Sequence, residues 1–239
     1  MKRKTTYLIF TSLLISNFSI AQLDQSRSSL VSTGNNIHLP VDYLRNNLLG
    51  NNQLPKNTVG SQYFIEDFIP SKVIINDSIS YNAMLRYNAY VDEIELKKND
   101  EISSLFKREY LSAIIENQEY IIKDYINDGT SKMGYFIKLL QGKTALYKKQ
   151  TKNYNPAKPA KSTYTKDTPP NFTDEINYFI QTENNKILTK IKPKQKSLLE
   201  LLGNESELKK YIKKKDLDLK KESDLIKLIQ YCNEVIHED

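Results

Sequence analysis

Asp92, Glu93 and Glu95 form an acidic trio in a run otherwise rich in apolar and aromatic residues. Side chains alternate along a strand, so Glu93 and Glu95 would share one face while Asp92 opposes them. Two carboxylates about 5 to 9 Å apart across a cleft suit acid/base cleavage of glycosides. Nothing in the neighbouring residue types marks one of the three for a raised pKa. A solvated strand face balanced by Arg86 and Lys97 explains the trio equally well. Asp100 and Glu101 add further oxygen ligands, but the spacing of an EF-hand loop is absent, and no metal is expected.

Other reactive groups are few. The 239-residue chain contains two histidines, His38 and His237, and one cysteine, Cys232. His38 lies in an Asn-rich stretch and His237 close to the C-terminus, so a Ser-His-Asp triad, a Cys-His pair or a His-rich metal centre would have to recruit a tail. Cys232 falls on the apolar stripe of a C-terminal helix and reads as a small hydrophobe. An internal disulfide framework and a Cys-rich zinc site are excluded by the count. No Walker pattern or dinucleotide fingerprint occurs among the seven glycines, and no cofactor is expected. Tyrosine is the abundant functional type, with 16 residues. It suits a half-buried pleated surface and is enriched at contact surfaces. Tyr87, Tyr90, Asp92 and Glu93 are therefore the candidate ligand contacts, for glycan, peptide or lipid.

These residues need a sheet to position them. From 59 to 192 short runs of Ile, Tyr, Val and Phe alternate with turn residues, the pattern of an antiparallel meander. Strands are predicted at 62–68, 72–75, 78–86, 87–97, 110–115, 119–126, 134–140 and 143–149. Asn76-Asp77, Asn99-Asp100, Asn117-Gln118, Asp128-Gly129 and Gln141-Gly142 supply the turns. The gaps are too short for helical crossovers, so pairing between 60 and 150 is expected to be antiparallel. The stretch 151–170, with Pro156, Pro159, Pro169, Pro170 and interspersed lysines, reads as an exposed extended connection. A hairpin at 175–181 and 186–191 follows.

From 193 to 239 the apolar period becomes helical. A helix at 197–202 should stop at Gly203, and Asn204 with Glu207 should cap the next. Leu225, Leu228, Ile229 and Cys232 line a third. The lysines of this segment are interleaved with acids, as on a solvated helical surface. The predicted fold class is α+β: an antiparallel β-meander, forming a curved sheet or half-barrel, followed by two or three short C-terminal helices.

At the N-terminus, Lys2, Arg3 and Lys4 precede an apolar stretch at 7–20, and Ser19-Ile20-Ala21 leads into Gln22. This is the layout of a signal peptide, 1–21, cleaved between Ala21 and Gln22. The stretch is short for a bilayer span, and no transmembrane segment is expected in the mature chain. Cleavage would lower the net charge from +6 by three, to +3. That leaves no concentrated basic surface and argues against a nucleic-acid partner. Residues 22–58, rich in Asn, Ser and Gln, read as a flexible leader with one short helix near 41–49.

The run 86–95, Arg-Tyr-Asn-Ala-Tyr-Val-Asp-Glu-Ile-Glu, together with 135–149 and 208–228, resembles segments of uncharacterised exported proteins of Bacteroidota. The resemblance implies a signal peptide, a β-rich body and a helical tail. It brings no activity and no catalytic residue. The sequence thus favours a non-enzymatic binding or interaction module of the periplasm, outer membrane or extracellular space, with an envelope protein, glycan or lipid as partner. A periplasmic carrier of an apolar ligand is the second reading. A hydrolase using Asp92 and Glu93 is the third.

Overall fold

Type I′ geometry, with positive φ at both central residues, matches the natural twist of paired strands. Asn76-Asp77 (φ 49° and 55°) and Asp128-Gly129 (φ 49° and 74°) adopt such conformations and close two hairpins where the sequence predicts them. The computed structural model describes residues 39–46, 54–160, 162, 164, 166–183, 185–192 and 194–235. The predicted signal peptide with its Ala21–Gln22 junction, most of the leader, His38 and His237 lie outside the described residues.

Eleven strands form among the described residues: β1 (Leu44–Asn46), β2 (Ile69–Ile75), β3 (Ile79–Asn88), β4 (Glu93–Lys98), β5 (Glu101–Leu105), β6 (Leu111–Ile115), β7 (Gln118–Asn127), β8 (Thr130–Leu140), β9 (Thr144–Asn155), β10 (Asn171–Thr182) and β11 (Asn185–Ile191). Helices α1 (Gln195–Leu202), α2 (Glu205–Lys215) and α3 (Glu222–Val235) follow. The chain is therefore α+β, a β-meander with three short helices after it, as the sequence predicts.

The strands join in the order β1-β5-β4-β3-β2-β6-β7-β11-β10-β9-β8, and β8 also pairs with β7. Strands β7 to β11 thus close on one another, which removes their edges. Closure uses one parallel contact, Leu188 of β11 beside Tyr125 of β7, while the first residues of β7 pair with β6. Phe136, Ala145, Tyr147, Phe179 and Leu188 fill the closed part, with Phe136 and Phe179 edge-to-face at 5.0 Å. A five-stranded closure is narrow enough for side chains to occupy its interior.

Alternate residues of the same strands point outward. Leu146 and Ile180 meet Leu198 and Leu199 of α1, Leu208 of α2 and Leu228, Ile229 and Cys232 of α3. Asn233 fastens α3 to β9, accepting the Thr144 N–H at 2.8 Å and donating to its carbonyl at 2.9 Å. A separate core under β2 to β8 holds Val73, Leu85, Ile94, Leu96, Leu111, Ile115 and Ile122.

Several expectations change. Segment 62–68 is not a strand, because β3 already has β2 and β4 on its two edges. Only Tyr63 bridges to Asn88, and Phe64 packs its side chain against the core. The expected strand 87–97 is two, since the Asn88 side chain accepts the N–H groups of Tyr90 and Val91 and turns the backbone. Residues 41–43 make one 3₁₀ turn and then β1, where a helix was expected, because β5 offers Leu44 and Arg45 a pairing edge. Strand β5 itself had no counterpart in the sequence reading. The turn expected at Asn117-Gln118 sits one residue earlier, on Glu116 (φ 49°) and Asn117 (φ 64°). Strand β9 runs on to Asn155, paired with β10 along its whole length, so the Pro- and Lys-rich connection is shorter than predicted. Asn204 is left-handed (φ 45°) and makes no side-chain cap, although Gly203 (φ 75°) stops α1 as expected.

Candidate functional site

The turn from β3 to β4 sets Asp92 at φ 58°, off the strand on which the sequence had placed it. Its side chain reaches toward β8 and β9. Asp92 Oδ1 accepts from the Tyr87 hydroxyl at 2.7 Å, from Lys149 Nζ at 2.9 Å and from the Tyr135 N–H at 3.2 Å, and Oδ2 accepts from Lys107 Nζ at 2.9 Å. Burial alone would raise the Asp92 pKa, but Lys149 and Lys107 outweigh it and hold the carboxyl below its ordinary value. Lys149 is itself brought down, losing more to burial than Asp92 restores. Burial, then the Asp92 charge, pushes the Tyr87 phenol far up, so it stays a donor.

Lys149 occupies the β9 alternation of Ala145 and Tyr147, the row that fills the closed strands. Its ammonium lies 4.8 Å from the Phe136 ring centroid and 5.2 Å from that of Tyr125. Such cation–π contacts soften the cost of a desolvated ammonium. The pair therefore pins the β3–β4 turn to the closed strands.

Glu93 and Glu95 do share a face of β4, but that face is buried, not solvated. Glu93 pairs with Arg45 of β1. Glu95 accepts from Arg86 Nε at 2.7 Å, Asn88 Nδ2 at 2.9 Å and the Tyr63 hydroxyl at 3.2 Å. The Arg86 guanidinium is clamped between the Tyr63 ring at 4.0 Å and the Phe68 ring at 4.1 Å, and it also donates to the Glu66 carbonyl at 3.0 Å. Burial and then Glu95 push the Tyr63 phenol up to about 12. Lys97, the other expected partner, is exposed.

Of the four candidate contacts, the structure joins Tyr87 and Asp92 in one buried cluster and sends Glu93 to Arg45. Tyr90 goes elsewhere: it is part-exposed and packs at 5.3 Å on Phe172 and 6.4 Å on Tyr154. All three carboxylates of the trio are tied to cations, Asp92 to Lys149 and Lys107, Glu93 to Arg45 and Glu95 to Arg86. Among the described residues no group of three or more His, Cys, Asp or Glu residues could hold a metal ion. Cys232 is buried in the helical core, and burial raises its thiol pKa.

Beside these ion pairs the surface opens into a cleft of about 200 Å³, walled by Phe64, Tyr87 and Tyr120 with Ile69 and Ile115, and bordered by Asp67, Glu116, Gln118 and Arg86. A shallower depression of about 460 Å³, lined by Thr58, Gly60, Gln62, Tyr63 and Phe172, shares Arg86 and Asp67 with it. The sequence reading had missed Lys149, Lys107, Gly134 and, apart from Tyr87, the residues that wall the cleft. Two of these carried a signal. Lys149 falls where strand alternation demands an inward residue, and Gly134 interrupts a strand, which marks close approach of another chain segment. Segment 62–68 carried none, because it packs by side chains where a strand was expected. No family model, no curated protein and no solved structure matches the chain.

Proposed function

We propose that the protein is an exported, non-enzymatic binding module that contacts its partner through the two clefts meeting at Arg86. The observation that carries this reading is the contrast at one place in the fold. The carboxylates are consumed in buried ion pairs, while an aromatic-walled cleft beside them stays open. Buried, paired charge makes a rigid floor, and aromatic walls with a few polar groups are the usual composition of a recognition site. Export rests on the N-terminal pattern of Lys2, Arg3 and Lys4, the apolar stretch and the Ala21–Gln22 junction. Among the described residues, no helix is long and apolar enough to cross a membrane.

A carrier of an apolar ligand has less support. Such a ligand needs an enclosed space, and Phe136, Tyr147, Phe179 and Leu188 occupy the interior of the closed strands. The test of the favoured reading is adherence of the purified protein to envelope fractions, before and after Gln118→Trp fills the cleft mouth. Loss of adherence is expected, with no loss for Ile187→Trp, an exposed position outside both clefts. Equal adherence of both variants would remove the clefts from the function. N-terminal sequencing of the exported protein should begin at Gln22, and an intact Met1 would overturn export by cleavage.

A further inference from the structure

The aromatic-walled cleft carries two exposed carboxylates, Asp67 and Glu116, and neither has an ion-pair partner among the described residues. The cation at its border, Arg86, is already neutralised by Glu95 at 2.7 Å. The lining therefore presents uncompensated negative charge over Phe64, Tyr87 and Tyr120. Phe64 already receives one alkylammonium, Lys152 Nζ at 4.3 Å from its centroid, and that charge is matched by Asp174 at 2.6 Å. Glu116 also sits at φ 49° in the first central position of its turn, where Asn, Asp or Gly would be less costly. Its carboxylate reaches far enough to help raise the Tyr120 phenol, behind the larger effect of burial.

We propose that this cleft receives the side chain of one arginine or lysine from an extended segment of a partner polypeptide. An aliphatic stem would lie against Phe64, Ile69 and Ile115, and the cationic head would meet Asp67 and Glu116. Size points to a projecting group: about 200 Å³ is less than the roughly 300 to 1,000 Å³ of pockets that enclose a whole small molecule. The adjoining polar depression, continuous through Arg86 and Asp67, leaves room for the partner's backbone beside the inserted side chain. Opposite charge selects a basic partner and speeds its encounter, with a dependence on salt.

The inference rests on the binding-module reading and narrows it, and the experiment separates the two. The purified protein is titrated, by calorimetry or ligand-observed NMR, with an end-blocked Gly-Gly-Arg-Gly-Gly peptide and with its citrulline counterpart, which keeps the shape and removes the charge. The arginine peptide should bind about tenfold tighter or more, a difference of about 1.4 kcal/mol. The preference should shrink with added salt and vanish in the Asp67→Asn/Glu116→Gln double variant, whose exposed sites leave thermal unfolding unchanged. Equal binding of both peptides, no binding of either, or a preference that survives in the double variant would each overturn the proposal. If Gln118→Trp still abolishes envelope adherence in that event, the clefts bind something other than a basic side chain. If it does not, the binding-module reading falls as well.

Discussion

A β-carbon on Gly134 would stand 2.8 Å from Asp92 Oδ2 and equally close to Lys149 Nζ, with the Tyr125 ring 3.0 Å away. Three neighbours from three parts of the chain meet over one missing side chain, so the Asp92–Lys149 pair exists because position 134 is glycine. Gly134→Ala should force the carboxylate and ammonium apart. The expected loss is about 1 to 3 kcal/mol of stability in chemical denaturation, the range for an overpacked interior. An unchanged midpoint would mean that the pair relaxes freely and does not pin the turn.

Asp92→Asn keeps the shape and removes the charge, which strands Lys149 in the interior. A buried ion that loses its partner costs about 3 to 5 kcal/mol. The pH dependence has a definite sign. The folded-state pKa of Asp92 is depressed, so its stabilisation is present in full above the unfolded carboxyl value near 3.9 and is lost as pH falls through the folded value. The wild type should therefore lose stability below about pH 4 more steeply than the variant. The variant should recover part of its deficit in alkali, where Lys149 can fold neutral. Parallel stability–pH curves for the two proteins would contradict this account.

Arg86 should behave as a planar group and not merely as a charge. Arg86→Met removes the guanidinium paired with buried Glu95, for an expected loss of about 3 to 5 kcal/mol. Arg86→Lys retains a charge but not the flat stack between Tyr63 and Phe68, each contact being worth about 0.5 to 1 kcal/mol, and should fall between wild type and Met. Thermal unfolding of the three proteins checks the order. Equivalence of Lys and Arg would remove the stacking argument.

Tyr135 is buried, and its hydroxyl has no hydrogen-bond partner among the described residues. An unsatisfied buried hydroxyl costs about 1 to 3 kcal/mol. Tyr135→Phe should therefore be neutral or stabilising in urea unfolding, against the general trend for core substitutions. A clear loss would reveal a partner for that oxygen.

How much of this was legible beforehand differs by residue. The hairpin turns at Asn76-Asp77 and Asp128-Gly129, the stop at Gly203 and the core position of Cys232 follow from local rules, because positive φ and apolar period are properties of a few consecutive residues. The same rules misplaced the Glu116-Asn117 turn by one residue. They also divided Asp92 from Glu93 by strand alternation, when the Asn88 side chain had in fact ended the strand. Segment 62–68 has the composition of a strand, yet it makes one bridge and packs by side chains, since no free edge remained for it beside β3.

By itself the sequence determined the periods: two-residue alternation through the middle of the chain, helical spacing after residue 193, and an excess of Tyr over His and Cys that turns attention from catalysis to contact. Tertiary structure alone decided closure and charge pairing. Which strand meets β7 on its far side, and which lysine answers Asp92 from 57 positions along the chain, depend on how twisted strands fit around a filled interior. Electrostatic partners are chosen by distance in space and by exclusion of water, neither of which is written in the order of neighbouring residues.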